Sequence, residues 1–366
     1  MTAMDRLHDS LNCKNSILAV NFKLILGFRH SVIFKQDGSV WSSAVSVRGR
    51  LSSRSLSKSF ARVIPSGAIA VAAGNGFSIV LKQDGYVWAK GRNSEGQLGD
   101  GTTKSRSTFF FASIISGAKA VAAGGHHSMV LTQSGCLFTT GWNEYGQLGD
   151  GTRIDKNRFS AVISVGVQAI SAGFTHSVVL KKDGSVWATG RNSDSQLGDG
   201  TTDPRHSFVK VMSGGGANIV AGGDHTFVLK RDGSVWAAGL NKQGQLGDGS
   251  VISKKMYVQV VSTGVDTVAA GYAHSVILKE DGSVWVAGSN EFGQLGEGSK
   301  TKKMDFVQVV PNGVKTVSAG GFHTMVLKRD GSVWVAGSNQ DGQFGDGTTK
   351  SSLTFARLSS IESGAK

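Results

Sequence analysis

Cysteine and proline are scarce in this chain of 366 residues, with only 2 and 3 copies. Cys13 and Cys136 are too few and too far apart to form a disulfide framework or a cysteine-based zinc site. The apolar stretch from Ile17 to Leu26 is too short to span a membrane, and Asn21 and Lys23 interrupt it, which makes it a poor signal peptide. We therefore expect a protein of the cytoplasm or nucleus held together by packing alone. A fragment of a longer chain is the alternative.

Sustained helical periodicity is also missing from the sequence. No P-loop, nucleophile elbow or His-Glu-x-x-His motif occurs. The repeated Asp-Gly-Thr segments lack the dense, alternating carboxylates of a calcium-binding loop, so they predict turns. We therefore expect no catalytic residue, no metal and no cofactor, and no enzyme that uses side chains of its own.

Glycine, in contrast, is abundant, with 51 copies that suit many tight turns. One unit occurs seven times, best written Ala-Gly-x-x-His-Ser-Val-x-Leu-Lys-x-Asp-Gly-Ser-Val-Trp-x-x-Gly-x-Asn-x-x-Gly-Gln-Leu-Gly-Asp-Gly. Its turn residues recur at intervals of 47 to 50 residues, at Asp37, Asp84, Ser134, Asp183, Asp232, Asp281 and Asp330. The units fill residues 23–366 as one domain and leave residues 1–22 as a partly irregular lead.

Each unit contains the pattern of a small antiparallel sheet. His274 opens an apolar run, Asp281-Gly282 marks a tight hairpin, and Val284-Trp285-Val286 follows as a second strand. Gln294-Leu295-Gly296 and the run from Phe306 to Val310 supply the predicted third and fourth strands. Four antiparallel strands per unit, repeated radially, predict an all-β, seven-bladed β-propeller.

One signature resembles a known repeat closely. Gly-Gln-Leu-Gly-Asp-Gly begins at Gly96, Gly146 and Gly244, and it recurs with small changes around Ser195, Glu297 and Phe344. This signature closely resembles that of the RCC1 repeat, found in regulator of chromosome condensation-like proteins. The resemblance covers nearly the whole chain and implies a seven-bladed propeller, in agreement with the number of units.

The first unit departs from this pattern. Trp41 is followed by Ser-Ser-Ala-Val-Ser-Val-Arg-Gly-Arg-Leu in place of the Gly/Asn turn and the signature. The spacing survives, because Leu51 lies ten residues after Trp41, as Leu98 lies ten after Trp88. We therefore expect a degenerate first blade rather than a missing one, with ring closure as the weak point.

Histidine and tryptophan each recur at one position of six units. The histidines are His30, His127, His176, His225, His274 and His323, and the tryptophans are Trp41, Trp88, Trp187, Trp236, Trp285 and Trp334. Equivalent positions on different blades are spread around a ring, too far apart for one zinc ion. We therefore expect the histidines to bond buried backbone and the tryptophans to anchor neighbouring sheets.

The resemblance also brings plant UV-B photoreceptors into consideration, since they use this propeller and carry tryptophan in a Gly-Trp-Arg-His-Thr setting. The matching segments here are Gly-Phe-Arg-His-Ser at Gly27 and Gly-Phe-Thr-His-Ser at Gly173. The missing tryptophans argue against photoreception.

Basic residues outnumber acidic ones by 39 to 26, for a net charge of +13. If the histidine run is the first strand of each blade, the Asp-Gly turns lie on the same face as the third loops, which join the third and fourth strands. That face then holds 26 basic and 15 acidic residues. Such a face predicts docking of an acidic protein, chromatin or nucleic acid, whereas lysines that only confer solubility are the alternative. The predicted partner-binding residues are Arg48, Arg50, Arg54, Lys58, Arg62, Lys104, Arg106, Arg153, Lys156, Arg158, Lys254, Lys255, Lys300, Lys302 and Lys303.

The favoured function is a monomeric, non-enzymatic scaffold that binds other proteins. As an alternative, the resemblance implies guanine-nucleotide exchange on a Ran-like small GTPase together with chromatin binding. Nearly constant unit lengths leave no room for a protruding wedge, however, and the lead has no basic tail. Similar propellers also inhibit β-lactamases or belong to large ubiquitin ligases; the former would need a secretion signal and the latter a further catalytic domain.

Overall fold

The computed structural model describes residues 22–43 and 58–359. These residues form seven antiparallel sheets of four strands each, with strictly sequential order within every sheet. The innermost strands of neighbouring sheets contact one another around a closed circle, including the first and the last sheet. The protein is therefore an all-β, seven-bladed propeller, as predicted.

Blades 1 to 7 follow the chain order. Blade 1 contains β1 (Phe22–Leu26), β2 (Ser31–Lys35), β3 (Val40–Ser42) and β4 (Ala61–Ile64), and blade 2 contains β5 (Ala68–Ala73), β6 (Phe77–Lys82), β7 (Tyr86–Gly91) and β8 (Arg106–Ile114). Blade 3 contains β9 (Ala118–Ala123), β10 (His127–Thr132), β11 (Leu137–Gly141) and β12 (Lys156–Ile163), and blade 4 contains β13 (Val167–Ala172), β14 (His176–Lys181), β15 (Val186–Gly190) and β16 (Arg205–Met212). Blade 5 contains β17 (Gly216–Ala221), β18 (His225–Lys230), β19 (Val235–Gly239) and β20 (Lys254–Val261), and blade 6 contains β21 (Val265–Ala270), β22 (His274–Lys279), β23 (Val284–Gly288) and β24 (Lys303–Val310). Blade 7 contains β25 (Val314–Ala319), β26 (His323–Lys328), β27 (Val333–Gly337) and β28 (Ser352–Arg357).

The predicted strand order within a blade was wrong by one position. The innermost strand is the alanine-rich segment before the histidine, such as β21, so the histidine run is the second strand and the Val-Trp run the third. Gln294-Leu295-Gly296 is a turn, because Gly296 has a φ of 71° and the Leu295 amide donates to the Asn290 side chain at 3.0 Å. Small side chains suit the inner strand, where seven sheets converge on one axis.

This correction changes which loops share a face. The inner loops, between the first and second strands, lie beside the outer loops, between the third and fourth strands: the Arg92 amide donates to the Gly76 carbonyl at 2.9 Å. We call their side the loop face. The Asp-Gly hairpins lie on the opposite side with the links between blades, and the Ala68 amide donates to the Gly38 carbonyl at 3.1 Å. We call that side the hairpin face.

The hydrophobic core is divided among the blade interfaces. Between blades 6 and 7, for example, Val276 and Leu278 pack with Val317 and Val326, and the ring of Trp334 packs against this cluster. Other repeated tryptophans pack in the same way, Trp88 against the cluster of Val32 and Val40, and Trp285 against that of Phe227 and Leu229. Their predicted role as anchors between sheets is confirmed.

Blade 1 has all four strands and closes the ring against blade 7. Phe22 and Leu24 share a buried cluster with Met325 and Leu327. At the rim, the Phe60 amide donates to the Gly345 carbonyl at 3.3 Å. The prediction of a degenerate but present first blade is confirmed, although the Leu51 spacing lies outside the described residues.

A substitution at Gly345 tests this seam. Its φ is 67°, and an added Cβ would overlap the Phe60 ring across the seam, whereas Gly313 has a φ of 78° and open space around it. We expect Gly313→Ala to cost about 1–2 kcal/mol for its left-handed backbone alone. Gly345→Ala should cost about 1–3 kcal/mol more because of overpacking.

Urea unfolding of both variants measures the difference in the free energy of unfolding. Equal losses for the two variants would show that the Phe60 contact does not hold the seam.

Candidate functional site: the two faces and the axial plug

The recurring histidines connect neighbouring blades. His176 Nε2 lies 2.9 Å from the Thr226 hydroxyl of the next blade, and that hydroxyl donates back to the Gln196 carbonyl at 2.6 Å. A carbonyl oxygen can only accept, so the hydroxyl proton points to it and the histidine must carry its proton on Nε2. We call this arrangement the interblade relay. The prediction of a structural role is confirmed, but the partner is a hydroxyl rather than backbone.

The relay is complete at five interfaces. Its histidine–hydroxyl pairs there are His127–Ser177, His176–Thr226, His225–Ser275, His274–Thr324 and His323–Ser31. His30 reaches Ser78 at 2.8 Å, while Phe77 takes the histidine position in blade 2. Since His323–Ser31 joins blade 7 to blade 1, the seam uses the same bonds as the interior of the ring.

Burial keeps these imidazoles neutral. It lowers the pKa of His176 and of His323 to about 3, with a smaller contribution from neighbouring histidines, and lowers that of His274 to about 4. Their Nδ1 atoms are buried and have no hydrogen-bond partner. Among the described residues, no group of histidine, cysteine, aspartate and glutamate side chains could hold a metal ion.

The Asn and Asp residues of the signature close the outer loops of blades 2 to 7, with Glu297 in place of the aspartate in blade 6. In blade 2, Asn93 donates to Asp100 at 3.1 Å and accepts from the Leu98 amide at 2.9 Å. Asp100 also accepts from the amide and hydroxyl of Thr102 at 2.9 and 2.8 Å. These Asp-Gly-Thr segments are turns, as predicted from their lack of calcium-binding carboxylates.

Several of the predicted partner-binding cations form ion pairs with the acids that close the outer loops. Arg106 lies 2.7 Å from Asp100, Lys254 lies 2.8 Å from Asp248, and Lys303 lies 3.3 Å from Glu297. Lys156 pairs with Asp150 at 3.6 Å in the equivalent place. These four side chains therefore fasten the start of the fourth strand to its loop.

The other predicted cations differ in their surroundings. Arg153 donates to the Glu144 carbonyl at 2.7 Å, and Lys302 donates to the Lys242 carbonyl at 3.1 Å. Arg62 donates to the Pro65 carbonyl in the link between blades 1 and 2, on the hairpin face. Exposed on the outer loops or outer strands are Lys58, Lys104, Arg158, Lys255 and Lys300. Arg48, Arg50 and Arg54 lie outside the described residues.

The predicted concentration of charge on one face was wrong, because the Asp-Gly turns and the outer loops lie on opposite faces. In the described residues, the inner and outer loops of the loop face contain 10 basic and 14 acidic residues. On the loop face, the residue that begins the fourth strand adds five cations, each paired with an acid of its outer loop. Between the strands, the turns of the hairpin face contain 3 basic and 7 acidic residues, and the residue that ends the second strand adds six lysines. Further exposed charged residues near the ends of strands on the hairpin face are six cations and one acid: Lys23, Arg62, Lys119, Lys210, Lys315, Arg357 and Asp266.

On the hairpin face, lysines stack on the repeated tryptophans. Lys181 Nζ lies 3.8 Å from the centre of the Trp187 ring, and the Trp187 indole donates to Ser185 at 3.0 Å. Six blades contain such a lysine, the other pairs being Lys35–Trp41, Lys82–Trp88, Lys230–Trp236, Lys279–Trp285 and Lys328–Trp334. The cation–π contact fixes each ammonium group at the rim of this face.

Three aromatic rings close the channel on the loop face. Phe28, Phe174 and Tyr272 project from inner loops over a cavity of about 120 Å³, and Phe28 reaches Tyr272 with a centroid distance of 5.2 Å. The blade before each of these rings has glycine at the same position; a Cβ at Gly321, for example, would lie 3.0 Å from the Phe28 ring. We call the three rings the axial plug.

The axial plug was not predicted from the sequence. Its signal is the alternation of aromatic residues and glycine one residue after the first glycine of each inner loop, at Phe28, Asn75, Gly125, Phe174, Gly223, Tyr272 and Gly321. The alternation leaves room for three rings where seven blades converge.

Family models match most of the chain. The RCC1-like domain matches residues 155–365, and the regulator of chromosome condensation (RCC1) repeat matches residues 68–97, 84–131 and 118–147. The chain belongs to the RCC1-like family. No curated protein sequence matches it significantly.

Solved structures of RCC1-like propellers are similar to this one. Human WBSCR16 has 22% identity and a TM-score of 0.75, with 86% of this chain and 88% of that chain covered. Yeast RCC1 (Prp20), solved bound to Kap60, has 18% identity and a TM-score of 0.77 over 97% and 90% of the two chains. Prp20p from Saccharomyces cerevisiae, described with its binding to Gsp1p and histones, has 20% identity and a TM-score of 0.74 over 95% and 88%. Identities at this level establish the fold alone.

The described part of this RCC1-like chain contains no helix long and apolar enough to cross a membrane.

The relay predicts acid sensitivity of the RCC1-like propeller. Its histidines have a lowered pKa in the folded state, so the unfolded chain binds protons first as the pH falls below about 6.5. The free energy of unfolding should fall from pH 6.5 to pH 5, by up to about 1.4 kcal/mol per pH unit for each histidine. Carboxylates titrate mostly below this range.

His176→Phe tests this prediction with a side chain that the fold accepts, since Phe77 occupies the equivalent position in blade 2. It should lower the number of protons taken up on unfolding by one, which urea titrations at several pH values measure. A variant with the same pH slope as the parent would contradict the account of buried, neutral histidines.

Proposed function

We propose that this protein is a non-enzymatic interaction scaffold. The observation that carries the proposal is the use of its repeated polar side chains. The repeated histidines hold neighbouring blades together, and the signature Asn and Asp residues close the outer loops. Many residues that differ between blades, in contrast, lie on the loops, such as Lys104, Ile252 and Lys300 at exposed positions of the outer loops. A rigid ring with varied loops is suited to binding partners.

The charge distribution favours an acidic partner on the hairpin face. Lysines stacked on tryptophan are held in place, which lowers the entropy lost when they pair with a carboxylate or phosphate. On the loop face, Arg106, Lys254 and Lys303 are already paired with acids. Docking through the fifteen residues of the sequence-based prediction, and location in the cytoplasm or nucleus, stay predictions.

Charge reversal on each face in turn tests this assignment. We expect Lys182→Glu, Arg231→Glu and Arg329→Glu together, in exposed hairpins, to abolish co-purification of an acidic partner from native lysate treated with nuclease. Lys104→Glu, Lys255→Glu and Lys300→Glu, exposed near the loop face, are the matched control and should retain it. If only the second set of substitutions abolished co-purification, the partner would bind the loop face instead of the hairpin face.

Guanine-nucleotide exchange on a Ran-like GTPase is the second candidate, supported by the similar fold of yeast RCC1. Against it, the outer loops of blades 2–7 all contain 14 residues, so none of these loops is extended into a wedge. We propose scaffold binding over exchange on this ground.

Release of fluorescent GDP from a purified Ran-like GTPase separates the two candidates. The scaffold proposal expects the same release rate with and without the protein. Acceleration by a factor of ten or more at micromolar concentration would establish exchange activity and overturn the proposal.

A further inference from the structure

Aromatic rings continue outward from the axial plug on the loop face. On one side, His126 contacts Phe174 with a centroid distance of 5.6 Å, and Trp142 follows at 5.6 Å from His126. Tyr145 lies 5.4 Å beyond Trp142, in the outer loop of blade 3. All four rings are half-buried, so part of each is accessible from the loop face.

On the other side, Phe322 contacts Phe28 at 5.1 Å and Tyr272 at 5.9 Å. Phe292 lies 5.0 Å beyond Phe322, in the outer loop of blade 6. The rings thus form one row from blade 3, across the axis, to blade 6. We call this row the aromatic stripe.

The outer rings of the stripe are not required by the fold. Tyr145 and Phe292 occupy one repeated position, where other blades have Glu95, Asp194 and Asp341. Blade 5 has glutamine there, and its outer loop keeps the same length and closing bonds. Closure of the outer loop therefore works equally well with a polar residue at this position.

Acidic side chains flank the stripe. Glu95 Oε2 lies 3.5 Å from His126 Nδ1. The nearby His126 side chain and hydrogen bonds from Ser94 and Gln97 outweigh burial and keep the pKa of Glu95 well below its usual range. Asp194 and Asp224 share Arg191, at 2.7 and 3.1 Å.

Two further acids, Glu144 and Glu291, directly precede Tyr145 and Phe292 and are exposed. Four arginines lie among these acids and Asp341, which together number six. Arg92 lies 2.6 Å from Glu95, Arg29 lies 3.7 Å from Asp341, Arg191 is shared between two of the acids, and Arg153 donates to the Glu144 backbone carbonyl at 2.7 Å. The surroundings of the stripe therefore have an excess of negative charge.

We propose that the aromatic stripe binds a basic segment, rich in arginine or lysine, of a protein partner. The accessible parts of these half-buried rings attract guanidinium and ammonium groups, and the flanking carboxylates attract the same charges. Aromatic residues grouped near the centre of a surface are typical of binding hot spots. Nucleic acid fits less well, because the carboxylates repel its phosphates. This inference rests on the proposed scaffold function and specifies the partner for its loop face.

A phage library of random dodecapeptides, panned against the immobilised full chain, provides the test. We expect enrichment of peptides with several arginine or lysine residues, and the most enriched one, labelled with fluorescein, should bind in fluorescence anisotropy. Trp142→Ser with Phe292→Ser should weaken this binding at least tenfold, since both rings lie in the stripe.

Ile252→Ser is the matched control, because Ile252 is 68% exposed on the outer loop of blade 5, a blade that contributes no ring to the stripe. This variant should bind the peptide as the parent does. Glu144→Lys with Glu291→Lys should also lose binding, whereas Asp203→Lys, an exposed acid of another outer loop, should keep it.

Selection of acidic or uncharged peptides, no selection at all, or binding unaffected by the stripe variants would overturn the inference. A partner that co-purifies equally with the parent and with the stripe variants would contradict binding at the stripe, whereas the scaffold function would still be supported. Circular dichroism of each variant confirms that the propeller is folded.

Discussion

The hydrogen bonds of the interblade relay are the constraint on which the ring depends. One hydroxyl accepts the imidazole proton of the preceding blade and donates its own proton to a glutamine carbonyl of that same blade, as Thr226 does between His176 and Gln196. Both bonds are buried, so losing either partner would leave an unsatisfied polar group inside the ring. The relay therefore fixes the spacing of neighbouring sheets, and hydrophobic clusters between the sheets supply the rest of the stability. Loops that take no part in these contacts can vary.

That variation gives the two faces different chemistry. The hairpin face repeats a lysine stacked on tryptophan in six blades and has an excess of cations. The loop face has more acids than bases in its described loops, and a row of aromatic rings crosses its centre. A ring with one basic and one acidic, aromatic face can hold partners of opposite charge on its two sides. Such a bridging role needs no catalytic side chain.

The number of blades and the turn positions follow from the sequence because they depend on local signals that repeat. Asp-Gly before Ser-Val-Trp marks a hairpin in any context, and glycine at Gly38 or Gly282 is required by a positive φ. The innermost strand was missed because its short alanine-rich run has no strong strand pattern of its own; it becomes a strand by packing at the axis. That omission shifted the strand order and put the Asp-Gly hairpins and the outer loops on the same face, although they lie on opposite faces. The stripe could not be predicted, since Tyr145 and Phe292 lie 147 positions apart and only ring closure brings their loops to one surface.

Blade 7 and blade 1 are joined by the same buried hydrogen bonds as blades inside the ring, and we expect the seam to open no more readily than the other interfaces. At the seam, Ser31 lies 2.9 Å from His323 Nε2 and donates to the Gln343 carbonyl at 2.7 Å, as Thr226 does for blades 4 and 5. Hydrogen–deuterium exchange measured by mass spectrometry tests this directly. We expect amides of β2 and β26 to be protected to a similar degree as those of β14 and β18. Exchange of β2 and β26 that is faster by orders of magnitude, while β14 and β18 remain protected, would show that the ring opens at the seam and would contradict the account.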